Sequence, residues 1–447
     1  MAEVTAGMNV AEVESLGTTL RSSADTLARQ IAMLNKAVSS TAWQGPIASQ
    51  FKQQWWPVHR ARLAQIESDL RGFGQSAFNN ATEQKTASAA GAGAAAGGAA
   101  GATTVGSALT LRELLRLPKD EQLAAWNALT PQEQRALISG KEASIGELDF
   151  VAPEIRYAAN RQLIFNEYMA LNELDAKLNG LPNELVHRKD LYYRILTQHE
   201  QVLFFDSGGD GRIAVVQGDL SHAPNVAISV PGISNNLDNY WGLLDEGHRL
   251  KGAAGADTAV VTWLGYDTPV GVGLNPIRMA AEIPNQTLAQ PGADALVHFV
   301  AGVRETNPGA QITVIGHSYG SLVTGLAARQ GMDANNVVFI GSPGVGANSV
   351  NDFHLAPGAH VYAAEPGAAV HVGSVGVGGD GVTNLGHNGH PFGGVPTEPG
   401  FGARVFDIGN RLDAGSSHSQ YYADGSASLH ALGMIASGEG DDLSTAW

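Results

Sequence analysis

The sequence predicts an α/β chain: an eight-stranded, mostly parallel sheet with crossover helices, behind an N-terminal all-α helical hairpin domain. Three observations predict it. Short apolar runs recur from residue 202 to residue 408, separated by segments long enough for helices, the signature of a parallel sheet. Apolar residues in the first 73 positions recur at helical spacing. Between them, residues 86–107 are almost wholly alanine, glycine, serine and threonine, which cannot bury enough apolar surface to hold one conformation and read as a flexible linker. The expected organisation is a hairpin over 1–85, the linker over 86–107, a helical segment over 108–200, the sheet domain over 201–437, and a tail over 438–447.

The first helix is read from Leu16, Leu20, Leu27, Ile31, Leu34 and Val38, which share one face. It stops at Ser39-Ser40-Thr41-Ala42-Trp43-Gln44-Gly45-Pro46. A second stripe follows through Ile47, Phe51, Trp55, Leu63, Ile66, Leu70 and Phe73, with Pro57 expected to kink it. Two such helices joined by a short turn make an antiparallel hairpin. Beyond the linker, Leu111, Leu114, Leu115, Leu123, Trp126 and Leu129 continue the helical pattern, and Thr130-Pro131-Gln132-Glu133 reads as an N-cap with proline at the first helical position. A longer helix is expected from Pro153 through Tyr168. This segment is expected to pack on the sheet domain or to roof its cleft.

Strands are expected over 202–206, 213–218, 225–230, 258–264, 311–316, 336–341, 360–364 and 404–408, the first two joined by the hairpin turn Ser207-Gly208-Gly209-Asp210-Gly211. After the fifth strand comes Gly316-His317-Ser318-Tyr319-Gly320, and after that a helical run to Arg329. Glycines flank Ser318 where a sharp strand-to-helix turn leaves no room for a Cβ, the G-x-S-x-G elbow that exposes a nucleophile. Eight strands with an antiparallel start and the elbow after the fifth constitute the α/β-hydrolase fold.

A serine at its ordinary pKa needs a base, an orienting acid and an oxyanion hole. In this fold the chain order is serine, acid, histidine. His418, just beyond the last strand, is the expected base; His430 lies in a helix-like run and His317 inside the elbow. The oxyanion donors are expected to be the N–H of Tyr319 and that of Ile233, with Gly232, in the Pro231-Gly232-Ile233 turn after the third strand. The acid should follow the seventh strand, where Ala368 and Ala369 stand. Glu365 is the nearest carboxylate and is preferred; Asp380, in the glycine-rich loop beyond, is the alternative, and a chain without a triad acid is the third reading.

Two resemblances add to this. The Trp43-Gln44-Gly45 turn between two amphipathic helices resembles the W-x-G family of helical-hairpin proteins exported by type VII secretion in actinobacteria and firmicutes, over about residues 1–85. Such proteins usually carry Tyr-x-x-x-Asp/Glu after the second helix; here Phe78 and Thr82 do not match it. A hairpin without an export role is the alternative. Residues 110–437 resemble an actinobacterial α/β-hydrolase family of unknown function. The matching phrases are Ile145-Gly146-Glu147-Leu148-Asp149, Ala158-Ala159-Asn160-Arg161, Val230-Pro231-Gly232, Gly316-His317-Ser318-Tyr319-Gly320-Ser321, Phe401-Gly402-Ala403-Arg404-Val405-Phe406, and His418 with Gly425-Ser426-Ala427-Ser428-Leu429. That resemblance implies a secreted or cell-envelope serine hydrolase, often beside a W-x-G partner. Members commonly have Gly-Asp where this chain has Gly367-Ala368.

Composition narrows the partners. The 447 residues carry a net charge of −16, which disfavours nucleic acid or anionic lipid surfaces. There is no cysteine, hence no disulfide or thiolate chemistry. The first thirty residues hold Glu3, Glu12 and Glu14 and no apolar h-region, and no apolar run is long enough to span a bilayer. Composition leaves the compartment open; what the resemblances imply is a secreted or cell-envelope location, reached without a classical signal peptide after a cytoplasmic stage. His371, His387 and His390 have no rigid frame or firm companions for a metal, so no metal or cofactor is expected. The expected partners are a small acyl ester or lipid substrate and a helical-hairpin protein, or a second copy of this chain, against residues 16–73. The acyl group itself has no readable motif. A degenerate hydrolase serving as a secretion-linked interaction protein is the competing functional reading.

Overall fold

The computed structural model describes residues 10–43, 110–178, 180–269, 289–365, 370–372, 375–377, 380–387, 392–408 and 417–443, with isolated positions between 45 and 78. The linker, Pro57 and the Gly367-Ala368 pair lie outside the described residues. The chain forms two compact units, Met1–Ser107 and Ala108–Trp447.

In the first unit a helix spans Val10–Ser40. The seven-residue gap in its apolar stripe is filled by Ala24, which is fully buried. Helical positions at Trp56, Arg60, Leu63, Glu67, Arg71 and Phe78 lie at spacings that share one face. Their contacts run backwards along the first helix. Lys52 Nζ donates to the Thr41 carbonyl at 2.8 Å, Trp56 Nε1 to Asn35 Oδ1 at 3.1 Å, Arg71 pairs with Asp25 at 2.7 Å, and Arg21 lies over the Phe78 ring at 4.6 Å. Rising numbers on one helix against falling numbers on the other define an antiparallel pair.

The second unit begins with helices Leu111–Leu114, Lys119–Asn127, Pro131–Ile138 and Glu142–Gly146, followed by the longer Pro153–Leu178 and Asn183–Gln198. Thr130 and Glu133 close a capping box with Pro131 in the first turn, and Thr110 and Glu113 close a second. Leu114, Trp126, Ile138, Ile145 and Ile155 form a common core. The segment packs on the sheet: Asn160 Nδ2 donates to the Val202 carbonyl at 3.0 Å inside the protein, and a Cβ on Gly146 would lie 2.0 Å from Asn160 Oδ1.

The strands are β1 (Gln201–Asp206), β2 (Arg212–Gln217), β3 (Asn225–Val230), β4 (Thr258–Leu264), β5 (Gln311–His317), β6 (Asn336–Ile340), β7 (His360–Ala364), β8 (Val370–Val372), β9 (Val375–Val377) and β10 (Arg404–Val405). The main sheet runs β1-β2-β4-β3-β5-β6-β7-β10, antiparallel at β1/β2 and β2/β4 and parallel elsewhere. This is the α/β-hydrolase fold. Two features depart from the expected strand series. β10 is two residues long, its hydrogen bonding to β7 carried one step further by Phe406 N–H to the Ala363 carbonyl, and β8 and β9 form a separate antiparallel hairpin.

Because β3 and β4 exchange places, β3 lies directly beside β5 with Val230 opposite Gly316. The loop leaving β3 and the elbow leaving β5 therefore emerge side by side, at the carboxyl edge where parallel sheets bind ligands. Every residue of β3, β4 and β6 is buried, so the centre of the sheet is a rigid floor for that edge.

Candidate active site

Ser318 has φ 57 and ψ −128, between β5 and the helix Tyr319–Arg329. Few side chains adopt a positive φ, and holding one there costs about 1–3 kcal/mol. The surroundings impose it. A Cβ on Gly320 would meet the Val230 carbonyl at 2.4 Å, and one on Gly316 would meet Ser321 Cα at 2.7 Å, so both flanking positions must be glycine. Ser318 N–H donates to the Ile340 carbonyl at 3.0 Å, and Ser321 Oγ donates to the Ser318 carbonyl at 2.5 Å. The turn is thus tied to β6 and to its own helix.

The β3 loop is fixed from behind. Tyr266 OH donates to the Pro231 carbonyl at 2.6 Å, and Asn235 Nδ2 lies 3.0 Å from the Gly232 carbonyl and 3.1 Å from that of Ile233. The N–H groups of Gly232, Ile233 and Tyr319 donate to no backbone carbonyl among the described residues. Tyr319 also opens a helix, where free N–H groups and the helix dipole favour negative charge. Gly232 lies against the serine: a Cβ there would be 2.7 Å from Ser318 Cβ and 3.0 Å from its Oγ.

His418 occupies the short helical turn Ser417–Ser419 and is nearly buried. Its Nδ1 lies 2.7 Å from Asp380 Oδ2. Asp380, 1% exposed, also accepts from Tyr421 OH at 3.0 Å and, through Oδ1, from the Val382 N–H at 2.8 Å. Burial raises the pKa of this carboxyl, but the His418 hydrogen bond and charge, the Val382 amide and Tyr421 outweigh it and hold Asp380 below the usual carboxylate range. Burial keeps the Tyr421 hydroxyl protonated, so it remains a donor.

His418 also abuts the elbow. His317 Nε2 lies 2.8 Å from the His418 carbonyl, and the two rings are 4.8 Å apart between centroids. Burial, and then the neighbouring His418, lower the His317 pKa to about 3, so it stays neutral. A Cβ on Gly341, which follows β6 at φ 57, would touch Asp380 Oδ2, Tyr421 and His418 Cε1 within 3.1 Å. Acid, base and elbow therefore converge on the end of β6.

The structure corrects the preference for Glu365 as the acid. Glu365 pairs with His387, its Oε2 3.0 Å from Nε2, while the runner-up Asp380 meets His418. The physical reason is the excursion between them: the chain leaves β7, forms the β8/β9 hairpin and returns, so sequence proximity to β7 does not decide which carboxylate reaches the base. Sequence reasoning also missed Tyr421, the Val382 amide and the helix Gly381–His387. The adjacent tyrosines Tyr421-Tyr422 three residues after His418 were the visible signal. Of the three histidines considered for a metal, His387 is held by two carboxylates, and the side chains of His371 and His390 lie outside the described residues. Among the described residues no cluster of three or more potential ligands occurs.

A family model described as alpha/beta hydrolase matches residues 206–376. An uncharacterized protein of Mycobacterium tuberculosis is 28% identical over 376 residues, covering 72% of this chain and 56% of the relative. Another, of Mycobacterium bovis, is 29% identical over 178 residues, covering 36% of this chain and 64% of the relative. The chain thus spans about half the length of the first of these relatives. The family match and the mycobacterial relatives fit the actinobacterial α/β-hydrolase resemblance. Among solved structures, an esterase from Pyrobaculum calidifontis is 14% identical with TM-score 0.31, covering 61% of this chain and 96% of its own. At that level of similarity it does not bear on this chain's chemistry.

Proposed function

We propose that this chain is a serine hydrolase cleaving an ester or thioester, with a small acyl ester or lipid as substrate, through an acyl-enzyme. The observation that carries the reading is the 2.7 Å contact between His418 Nδ1 and the buried Asp380, beside a strained Ser318. In this reading Asp380 holds the Nδ1 proton in place, leaving Nε2 unprotonated to take the proton of Ser318 Oγ. The oxygen attacks the acyl carbonyl; the tetrahedral oxyanion is received by the Tyr319 and Ile233 N–H groups, with Gly232 leaving the space above the serine open. His418 returns its proton to the leaving alcohol or thiol, and water repeats the sequence to release the acid. Fluorophosphonate labelling tests it. Label on Ser318, lost in Ser318→Ala together with hydrolysis of short acyl esters, is the expected result; a wild-type protein that takes no label defeats the reading.

For the N-terminal unit we propose a helical-hairpin partner, or a second copy of this chain, and export by a type VII route to the medium or cell envelope. Met33 and Leu34 in the helix and Trp43 just beyond it are 64%, 48% and 42% exposed, and these apolar side chains support a partner surface. None of the described helices is long and apolar enough to cross a membrane. Sedimentation of the wild type against Leu34→Asp tests the partner surface; appearance in culture medium, dependent on the secretion machinery, tests the route.

A further inference from the structure

Glu365, displaced from the triad, has a partner of its own. His387 Nε2 lies 3.0 Å from Glu365 Oε2, and His387 Nδ1 lies 3.1 Å from Glu398 Oε1. Both ring nitrogens thus face carboxylate oxygens. A neutral imidazole carries one N–H and satisfies one of these; the imidazolium satisfies both. Its hydrogen bond to Glu365 raises the His387 pKa to about 9, with Glu398 adding to it and burial opposing.

His387 is the last residue of the helix Gly381–His387. Asp380 caps the other end, taking the Val382 N–H on its side chain and Thr383 Oγ1 on its carbonyl at 2.8 Å. Seven residues make a rod about 10 Å long. One end carries the carboxylate that meets His418. The other is gripped by Glu365, which directly follows β7, and by Glu398, from the loop before β10. Gly386 lets the rod pack closely on the loop segments at Pro343 and Val395, since a Cβ there would be 2.7 Å from the Pro343 carbonyl and from Val395. These neighbours are uncharged, so among the described residues Glu365 and Glu398 are the charged groups that face His387, with Asp380 at the far end already paired to His418.

We propose that Glu365, His387 and Glu398 form an ionic clamp that sets the helix aiming Asp380 at His418, making His387 a positioning residue of the triad. The proposal rests on the serine hydrolase reading. The clamp is complete while His387 is protonated and opens as pH rises through its raised value. The wild type is therefore expected to lose fluorophosphonate labelling on an alkaline limb near pH 9.

The test follows labelling rates from pH 6 to pH 10 in the full chain for wild type, His387→Gln, His387→Lys and Glu398→Gln. His387→Gln is expected to lower the rate about tenfold and to abolish the alkaline limb, since a small misplacement of a catalytic group costs up to about 100-fold. His387→Lys keeps a cation to higher pH and should restore part of the rate while moving the limb upward. A His387→Gln protein with the wild-type rate and profile overturns the clamp. If His387→Gln does not fold, Glu398→Gln carries the same test with one carboxylate removed. A wild type that takes no label defeats the hydrolase reading instead. The clamp is then read by the nuclear magnetic resonance titration of His387, where a midpoint near 9 supports it and the ordinary value near 6.5 overturns it.

Discussion

Replacing Asp380 with asparagine separates orientation of the base from everything else in the site. The carboxylate accepts three hydrogen bonds, from His418 Nδ1, Tyr421 OH and the Val382 amide. An asparagine of the same shape has one acceptor oxygen and one NH2. With the oxygen kept on the Val382 amide, the NH2 faces His418 Nδ1, which must then become an acceptor and send its proton to Nε2. The base is thereby filled on the side that should receive the serine proton. Loss of this orientation in a Ser-His-Asp triad costs about 10⁴-fold in kcat, or about 5 kcal/mol of barrier, with the oxyanion hole intact. The assay is hydrolysis of a short acyl ester by Asp380→Asn and, in parallel, Glu365→Gln, each checked for native circular dichroism. Asp380→Asn should fall by about four decades and Glu365→Gln by about one, the latter through the clamp. An Asp380→Asn enzyme within tenfold of wild type, or a Glu365→Gln enzyme that loses more, would refute the assignment.

Other outcomes follow from the same geometry. Ser318→Gly should abolish labelling yet raise stability by about 1 kcal/mol, because glycine accepts φ 57 without strain; chemical denaturation measures it. Gly232→Ala places a methyl 2.7 Å from Ser318 Cβ and should slow labelling while the melting temperature holds, whereas Gly320→Ala meets backbone carbonyls at 2.4 and 2.5 Å and should fail to fold or melt early. Tyr421→Phe removes one donor from the buried Asp380 and should cost about 1–3 kcal/mol of stability, read by urea titration. The stability contributed by His387 has a definite sign. Its folded pKa is raised, so the contribution is full below about pH 6.5, declines above it, and is gone once pH passes about 9; Tm measured from pH 6 to pH 10 should fall in the wild type more than in His387→Gln.

The parts of this site that are local in sequence were legible there, and the parts that depend on a long return of the chain were not. Seven of the eight strand positions of the main sheet follow from apolar runs bounded by turn residues, because strands buried on both faces read as near-continuous apolar runs. The elbow is equally local: Gly316, Ser318 and Gly320 are two residues apart, and the steric demand acts across that distance. Thr130 and Glu133 announced a helix start because a capping box closes within three residues. The acid is different. Asp380 and His418 are 38 apart in sequence, and the fourteen residues between Glu365 and Asp380 include a hairpin that apolar patterning did not reveal. The last strand was overestimated for a related reason, since Phe406 and Ile408 pack on the core beyond the point where pairing with β7 stops.

That difference explains why Glu365 was attractive and why it serves elsewhere. At the end of β7 it is close to the catalytic edge, but it is only part-buried and its reach is taken by His387 at 3.0 Å. Asp380 is buried, and a buried carboxylate is tolerated only when its lone pairs are met; here three donors meet them, two of them from the chain segments flanking the site. The demand for satisfaction therefore selects the more distant residue. A carboxylate from position 365 that replaced Asp380 would have to reach the space beside Gly341, so tight that an added Cβ there would meet Asp380 Oδ2 at 2.9 Å, Tyr421 at 3.0 Å and His418 at 3.1 Å, and it would leave His387 with one of its two carboxylates. Restoring an acid to Asp380→Ala by substitution near residue 365 should consequently recover less than one decade of rate, whereas Asp380→Glu, entering from the same helix cap, should recover more; the order of those two rates tests whether direction of approach, and not proximity, decides the acid.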